Sequence, residues 1–287
     1  GNMMVPGAVI CGGGLLVIPL SPCLIFGLGP FPTLGVAGGA LALLTYFGVG
    51  TLILGWYCLS GRNPARLRRT PFMPSLLGQI LRVGALATLN PLCTNGQIAL
   101  ISALVSAHAG TAALAGYGTA ARLEYLMMPI AFGLGAPMVA LVGANIGAGQ
   151  LQRARQAALM GGAAAFLAGE AIGLAAAIWP LAWLHLFGHD PGMEAAGSTY
   201  LRIVGPVYGF FSMGFSLYFA SQGARRLGWP LLAAFIRVVL AVGGGWLVLR
   251  LGGGLAGFFA VNAAAIALYG VLTLRAVMAH NWIRPAS

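Results

Sequence analysis

The sequence predicts an all-α membrane protein with about eight transmembrane helices. Of the 287 residues, 59% are hydrophobic and only 7% are charged, and residues 1–61 contain no Asp, Glu, Lys, Arg or His. So few charges cannot cover a water-facing surface, whereas apolar runs of about 20 residues have the length that a helix needs to cross the hydrocarbon core. Eight such runs lie at residues 3–26, 36–59, 76–104, 113–142, 157–181, 198–222, 230–249 and 255–277.

The distribution of arginine predicts the orientation of these spans. The net charge of +11 is carried by 15 arginines, with no lysine. An eight-span weave places ten of them on one side: Arg62, Arg66, Arg68, Arg69, Arg153, Arg155, Arg225, Arg226, Arg275 and Arg284. The opposite loops contain only Arg250 at an edge, with Asp190 and Glu194. Because Arg-rich loops stay in the cytoplasm, both ends of the chain are predicted to be cytoplasmic.

Composition also argues against several classes of function. The arginines are dispersed between apolar runs rather than gathered on one polar domain, so nucleic-acid binding is not expected. An enzyme would need several convergent acids, nucleophiles or metal ligands, and only Glu124 and Glu170 lie within spans. Neither the cysteines nor the histidines show a metal-ligand spacing, so no metal site and no disulfide are expected. These residues are Cys11, Cys23, Cys58 and Cys93, and His108, His185, His189 and His280.

Two similar arrangements of glycine and proline indicate an internal repeat. Pro6 opens the first span and Pro230 opens the seventh. Each span is followed by a Gly-rich turn and then by "GVAG" (residues 35–38) or "GLAG" (residues 254–257). Membrane transporters are often built from such repeats, with the substrate site between the two halves. Chance similarity between Gly/Ala-rich spans is the alternative, since small residues are common in membrane helices.

A genuine repeat would divide the chain between two lobes. We expect residues 1–59 to be the last two helices of an N-terminal lobe, residues 60–75 a cytoplasmic Arg-rich linker, residues 76–278 a six-helix C-terminal lobe and residues 279–287 a cytoplasmic tail. Four further helices would then precede this chain, which begins "GNMMVP". Because alternating access requires two lobes, this chain is not expected to transport alone.

Three stretches resemble the multidrug and toxic compound extrusion (MATE) family. They are "CLIFGLGPFPTLGVAGGALA" (residues 23–42), "ALAGYGTAARLEYLMMPIAFGLGAPMVALVGANIGAGQLQRA" (residues 113–154) and "YLRIVGPVYGFFSMGFSLYFASQGARRLGWPLLAAFIR" (residues 200–237). The resemblance implies a twelve-helix protein of two six-helix lobes, monomeric when full length, in the bilayer of a bacterial inner membrane. It also implies efflux of small amphipathic, often cationic, drugs or toxic compounds in exchange for protons or sodium ions, with no other cofactor. A flippase for lipid-linked sugars on a related fold is the alternative.

The two acids within spans are candidates for function or for packing. A charge at membrane depth costs at least a few kcal/mol, so such an acid usually faces a cavity or a partner. Glu124 is a candidate for ion coupling or cation binding, or for a structural pair with an arginine on another helix, such as Arg202. Glu170 lies between Gly169 and Gly173, a spacing that brings helices close, and is expected to be a hydrogen-bonded interface residue.

A polar face on the third predicted span is a candidate cavity wall. Asn90, Thr94 and Gln97 are spaced by four and three residues, so they share one helical face, with Asn95 beside them. Lipid offers no hydrogen-bond partners, so this face must meet protein or water. Interhelical hydrogen bonding is the alternative to a cavity. In some branches of the family an acid stands near the positions of Thr94 or Asn95, and its absence here disfavours their sodium mechanism.

Further cavity candidates lie near Glu124 and on the sixth span. Aromatic and methionine side chains can accommodate flat apolar cations by dispersion and cation–π contact. Ordinary core packing is the alternative for all of them. These candidates are Arg122, Tyr125, Met128, Tyr208 and Ser212.

Overall fold

The computed structural model describes residues 4–28, 30, 32–61, 74–279 and 282. Regular secondary structure in these residues is helical throughout, which confirms the predicted all-α fold. The chain divides into two compact units, Gly1–Pro74 and Ser75–Ser287. Six residues named in the sequence analysis lie outside the described residues: Arg62, Arg66, Arg68, Arg69, His280 and Arg284.

The first unit is a helical hairpin. It consists of α1 (Met4–Phe26) and α2 (Val36–Leu59). Between the helices, Gly27 and Gly35 adopt φ angles of +70° and +55°, which glycine reaches without the steric cost of a Cβ. Gly38 lets α2 approach the carbonyl oxygen of Leu24 so closely that a Cβ would collide with it. The described ends of this Gly/Pro-rich segment therefore reverse the chain between two apolar helices, where the sequence predicts a turn.

The second unit is a bundle in which several helices are interrupted. Its described helices are α3 (Pro74–Gly147), α4 (Leu151–Ile178), α5 (Pro180–Leu184), α6 (Pro191–Val204), α7 (Tyr208–Gly223), α8 (Gly228–Val239), α9 (Gly245–Arg250) and α10 (Gly254–Met278). A 3₁₀ turn over Gly205–Val207 joins α6 to α7, and a π-helical turn over Leu240–Gly244 joins α8 to α9. The predicted sixth and seventh spans each contain one of these turns.

Helix α3 is broken at Gly110. This residue has φ 79° and ψ −173°, a backbone conformation that is essentially restricted to glycine. An unbroken helix of the 60 residues of Thr88–Gly147 would extend about 90 Å, roughly three times the thickness of the hydrocarbon core. The break separates residues 74–109 from residues 111–147, which contain the predicted third and fourth spans respectively.

The described residues contain seven helical stretches that are long and apolar enough to cross a membrane, and the α3 stretch is one of these seven. Six of them each correspond to one predicted span. The clearest difference lies at α6, which begins at Pro191, before the apolar span predicted at residues 198–222, although "HDP" (residues 189–191) itself predicts a helix start there. Asp190 caps this helix by accepting a hydrogen bond from the Met193 amide at 2.8 Å, and Pro191 occupies the first turn, where its missing N–H costs nothing.

Helix α4 packs closely against α6 and α7 through glycine. Gly173 of α4 faces Gly205, and a Cβ on either residue would collide with the other's carbonyl oxygen. A Cβ on Gly169 would collide with the side chain of Ser212. A Cβ on Gly209 would lie 2.9 Å from the Phe166 carbonyl oxygen. The small-residue spacings on the two segments therefore meet, which fixes the position of α6 and α7 in the bundle.

Hydrogen bonds at one end of the bundle hold together the segments that carry several of the described arginines. Arg155, in the first turns of α4, donates to the Ala279 carbonyl at 2.8 Å, just after the end of α10. Trp282 donates to the Ser221 hydroxyl at 3.1 Å, near the end of α7. A buried apolar cluster that includes Leu217 and Val277 lies beneath them. The start of α4 and the ends of α7 and α10, beside which Arg153, Arg155, Arg225, Arg226 and Arg275 lie, therefore meet at one end of this unit.

Candidate functional site

Glu124 is held by two buried tyrosines. The Tyr200 hydroxyl of α6 donates to Glu124 Oε1 at 2.6 Å, and the Tyr208 hydroxyl lies 3.5 Å from the same oxygen. The 3₁₀ turn between α6 and α7 lies between these tyrosines, both of which are fully buried. The predicted alternative partner, Arg202, is exposed. Pairing of Glu124 with Arg202 is therefore wrong, because the carboxyl points to phenols inside the bundle.

Arg237 of α8 is a buried cation beside this acid. Its side chain is 4% exposed, and it donates a hydrogen bond to the Thr94 hydroxyl at 3.1 Å. The guanidinium carbon lies 5.4 Å from the centre of the Phe211 ring and 5.0 Å from that of Tyr269. Aromatic faces stabilise a desolvated guanidinium through the ring quadrupole. Its Nε has no hydrogen-bond partner among the described residues, so the guanidinium retains one unused donor.

A small cavity joins the acid to the arginine. Its volume is about 10 Å³, roughly enough for one water molecule. Its lining includes Thr94, Gln97, Tyr117, Glu124, Tyr200, Arg237 and Asn262. Gln97 donates to Asn262 Oδ1 at 3.1 Å, while Gln97 Oε1 lacks a partner in the described part of the chain. We call Thr94, Glu124, Tyr200, Tyr208 and Arg237 the acid–arginine cluster.

A second, larger cavity lies next to this cluster and is mostly apolar. Its volume is about 340 Å³. Its lining contains five aromatic side chains, Tyr125, Phe132, Phe215, Tyr218 and Phe219, together with Asn90, Pro91, Thr94, Asn95, Met128 and Gln222. The Phe132 and Phe215 rings meet edge to face at 5.2 Å between centroids. We call this space the aromatic cavity. Thr94 lines both cavities, so the two spaces are neighbours.

The structure divides the predicted site residues into three groups. Asn90, Thr94, Asn95, Tyr125 and Met128 line the aromatic cavity. Glu124, Gln97 and Tyr208 belong to or adjoin the acid–arginine cluster. Two predicted residues lie elsewhere. Arg122 is exposed, with its guanidinium carbon 5.2 Å from the Phe187 ring, and Ser212 packs against Gly169 at the α4 contact. Their neighbours in sequence reach the cavities, but these two side chains point away.

Glu170 has a local structural role in the close helix contact. Its Oε2 accepts a hydrogen bond from the Gly209 backbone N–H at 2.9 Å. This N–H lies in the first turn of α7, where helical amides have no intrahelical acceptor. The carboxylate therefore satisfies a backbone donor across the α4–α7 contact, which confirms the expected interface role.

Arg237 and Tyr200 are site residues that the sequence reasoning missed. The cost of a charge at membrane depth applies to arginine as well as to glutamate, so Arg237 within "LLAAFIRVVL" could have been identified by the argument used for Glu124. Tyr200 carries no comparable signal. It lies near the start of the predicted sixth span, without a charge or spacing that would single it out.

A bundle of membrane-length apolar helices around buried polar residues defines a multi-pass membrane protein. The chain belongs to the MatE family, whose model matches residues 92–247.

Curated relatives of the chain are named as transporters or multidrug resistance proteins. An FAD transporter of Shewanella oneidensis is 29% identical over 227 residues, which cover 77% of this chain and 49% of that protein. A probable multidrug resistance protein NorM of Thermotoga maritima is 27% identical over 241 residues, covering 83% of this chain and 51% of that protein. The chain thus spans about half the length of these relatives.

Solved structures of transporters share the fold. A Pyrococcus furiosus transporter of the MOP superfamily, whose binding pocket is described as having reverse polarity, superposes with a TM-score of 0.83 at 20% identity. That match covers 93% of this chain and 60% of the other. The Vibrio cholerae MATE transporter VcmN in its bent form superposes with a TM-score of 0.82 at 18% identity, covering 99% of this chain and 63% of the other.

Proposed function

We propose that this chain is part of a secondary active exporter of amphipathic, often cationic, drugs or toxic compounds, working by alternating access. The observation that carries the proposal is the acid–arginine cluster, in which a membrane-depth carboxyl bonded to Tyr200 faces Arg237 and adjoins an aromatic cavity. Acids within membrane helices usually mark ion or substrate pathways, because their charge is costly there. Relatives named as multidrug resistance proteins support the same class.

In this proposal the two units belong to different lobes. Residues 76–278 form a six-helix C-terminal lobe, and residues 1–59 form the last two helices of an N-terminal lobe. The similar placement of Gly and Pro around residues 6–38 and 230–257 supports this assignment. Substrates would pass between lobes that rock about a shared site.

Glu124 is the proposed coupling residue, and the proton is the favoured coupling ion. Sodium, a hard cation, prefers several oxygen ligands, as the divalent hard cations do. The small cavity instead contains the Arg237 guanidinium, which would repel a bound cation, and one carboxylate whose Oε1 accepts from Tyr200. A proton needs only the carboxyl itself. Exchange of that proton for a substrate cation would link the two fluxes.

The aromatic cavity is the proposed contact site for substrate. Five aromatic rings offer flat, polarisable surfaces on which planar apolar cations can stack, with cation–π attraction added to dispersion. The only formal charges near it belong to the acid–arginine cluster, as far as the described residues extend. These charges, Glu124 and Arg237, have opposite signs, so dispersion and cation–π contact with the rings would supply most of the attraction for a cationic substrate.

A flavin nucleotide is a second candidate substrate. A relative is named as an FAD transporter, and Arg237 offers an unused guanidinium donor that an anionic group could accept. Aromatic rings would stack equally well on a flavin ring system. The two candidates differ in charge, so a binding comparison separates them.

The test measures protons released when a planar cation binds. The purified 287-residue chain in lipid nanodiscs is titrated with ethidium in weakly buffered solution containing a pH-sensitive dye. We expect saturable ethidium binding with proton release, and we expect Glu124→Gln to abolish the release because an amide holds no exchangeable acidic proton. Glu170→Gln is the matched control and should release protons as the wild type does.

Each outcome decides between the alternatives. Equal release from the wild type and Glu124→Gln would overturn the coupling role of Glu124. Saturable binding of FAD without binding of ethidium would replace the cationic substrate with the flavin nucleotide. Binding of neither ligand would overturn the proposed substrate site.

A further inference from the structure

Three potential metal donors meet in the turn that joins α5 to α6. His185 Nε2 lies 3.1 Å from Glu194 Oε1, and His189 Nδ1 lies 3.9 Å from the same oxygen. One donor atom from each of the three side chains lies within 4.8 Å of the others. The sequence analysis expected no metal site among these histidines. The structure instead gathers them around one carboxylate.

We propose that His185, His189 and Glu194 bind one Zn²⁺ ion. Two imidazoles and a carboxylate form the ligand set of many zinc sites, in which three protein ligands leave a fourth position for water. In a tetrahedral site with bonds of 2.0–2.2 Å, neighbouring ligand atoms lie about 3.4 Å apart. The observed distances of 3.1 Å and 3.9 Å lie on either side of that value. Small rotations of exposed side chains are enough to complete the site.

Buried contacts hold the backbone that carries these ligands. Leu184, fully buried, packs on Gly197 of α6, where a Cβ would lie 2.7 Å from its Cδ2. This contact fixes the end of α5, and with it His185, against the helix that carries Glu194. The Asp190 cap fixes the first turn of α6 by its hydrogen bond to the Met193 amide. Such preorganisation reduces the entropy that ligands lose when they bind an ion.

The side chains remain open to solvent, as an entering ion requires. The exposed fractions of the side chains are 42% for His185, 73% for His189 and 25% for Glu194. Among the residues that the structure describes, no other group of three His, Cys, Asp or Glu donors meets in this way. Nitrogen donors favour Zn²⁺ and its transition-metal neighbours over Mg²⁺. The site is therefore expected to discriminate between these ions.

The alternative is a simple contact between Glu194 and protonated histidine, with no metal. Tag-free 287-residue protein in detergent is titrated with Co²⁺ as a spectroscopic probe, followed by displacement with Zn²⁺. We expect one Co²⁺ per chain with a ligand-field absorption band, its loss on addition of Zn²⁺, and no displacement by Mg²⁺. Failure to observe saturable Co²⁺ binding would overturn the proposal and leave only the contact between Glu194 and the histidines.

Variants assign the ligands. His189→Ala lies in an exposed turn and should preserve folding, yet should weaken Zn²⁺ binding by more than the about 10–100-fold that loss of an outer-shell partner costs. Glu194→Gln should weaken it similarly. His108→Ala, which removes an exposed histidine outside the cluster, is the matched control and should bind normally. Unchanged affinity in His189→Ala and Glu194→Gln, or a loss in His108→Ala, would overturn the site.

Discussion

The hydrogen bond from Tyr200 to Glu124 is the shortest contact in the acid–arginine cluster, and it is the residue-scale feature on which the proposed coupling rests. Tyr200 is fully buried, so its hydroxyl is shielded from bulk water and depends on partners inside the bundle. Conversely, a carboxyl at this depth depends on donors in the protein, because the membrane supplies none. The Tyr200 hydroxyl and the Glu124 carboxyl therefore satisfy each other's hydrogen-bonding requirement inside the bundle.

Tyr200→Phe removes this hydroxyl while preserving the ring. We expect the free energy of unfolding to fall by about 1–3 kcal/mol, the cost of leaving a buried polar partner without its hydrogen bond. The measurement is reversible unfolding in mixed micelles. Tyr125→Phe, at a half-exposed ring without a hydrogen bond to any described residue, is the control and should have little effect. A smaller loss for Tyr200 than for Tyr125 would contradict the role of the bond.

Two substitutions of Arg237 separate the contribution of its charge to stability from the contribution of its packing. Arg237→Met keeps an apolar stem of similar length beside Phe211 and Tyr269, and the proton proposed for Glu124 would leave no unpaired charge, so we expect a stability change below about 1.5 kcal/mol. Arg237→Ala leaves a space among the rings and should cost about 2–5 kcal/mol. Calorimetric unfolding of both variants makes the comparison. Equal large losses in both would mean that the charge itself is essential to the fold.

At the same scale, the sequence predicts acids better than their partners. Glu124 and the polar face with Thr94 are found because polar groups within apolar runs are rare. Tyr125 is found by its proximity in sequence to Glu124, and Tyr208 by its place on a face of the sixth span. The partners depend on which way a helix is turned: Arg122 and Glu124 are two residues apart, yet one lies against Phe187 and the other inside the cluster. Side-chain direction is decided by tertiary packing, which spacing alone does not determine.

At the scale of elements, the contact between α4 and the α6–α7 segment positions both tyrosines. Gly173 and Gly205 bring the backbones together, and Tyr208 follows directly after the 3₁₀ turn. The two glycine spacings are visible in the sequence, but their mutual contact is not. Likewise, the turn at Gly205–Val207 and the π turn at Leu240–Gly244 interrupt spans that hydropathy presents as continuous.

Gly173→Ala tests this contact. A Cβ at Gly173 would collide with the Gly205 carbonyl oxygen and lie 2.9 Å from the Tyr208 Cβ, so the helices must separate. We expect a loss of about 1–3 kcal/mol of stability and a lower thermal unfolding midpoint. Gly133→Ala is the matched control, because nothing lies within 4 Å of that Cβ position, and it should be neutral or gain up to about 1 kcal/mol. Equal behaviour of the two variants would remove the close contact as an element of stability.

At the scale of the whole molecule, hydropathy predicts most of the membrane-length helices because bilayer thickness imposes one length on each of them. Hydropathy alone predicts helix ends less well, since caps lie outside the apolar runs, although "HDP" at residues 189–191 predicts the start of α6 from its capping residues. Hydropathy does not show the break at Gly110. The length of a membrane span nevertheless divides this apolar region into the third and fourth predicted spans, and Gly110 lies between them. The division into lobes rests on the repeat, and it stays a prediction.

The orientation of the chain in the membrane follows from the same arginines and can be measured directly. The described segments around Arg155, Ala279 and Ser221 meet at one end of the second unit, and the Arg bias predicts that this end is cytoplasmic. Single cysteines at exposed positions report the two faces. Gln152→Cys lies at the Arg-rich end, and Leu251→Cys, where the native side chain is 78% exposed, lies in the turn between α9 and α10.

Both variants are made in a background lacking the four native cysteines and are treated in intact bacteria with a membrane-impermeant maleimide. We expect Leu251→Cys to react in intact cells and Gln152→Cys to react only after permeabilisation, because arginine-rich loops are retained on the cytoplasmic side. Permeabilised cells, in which both must react, control for accessibility. Reaction of Gln152→Cys in intact cells, with Leu251→Cys protected, would invert the orientation. Reaction of both would contradict the weave of spans, since residues 152 and 251 would then share one face.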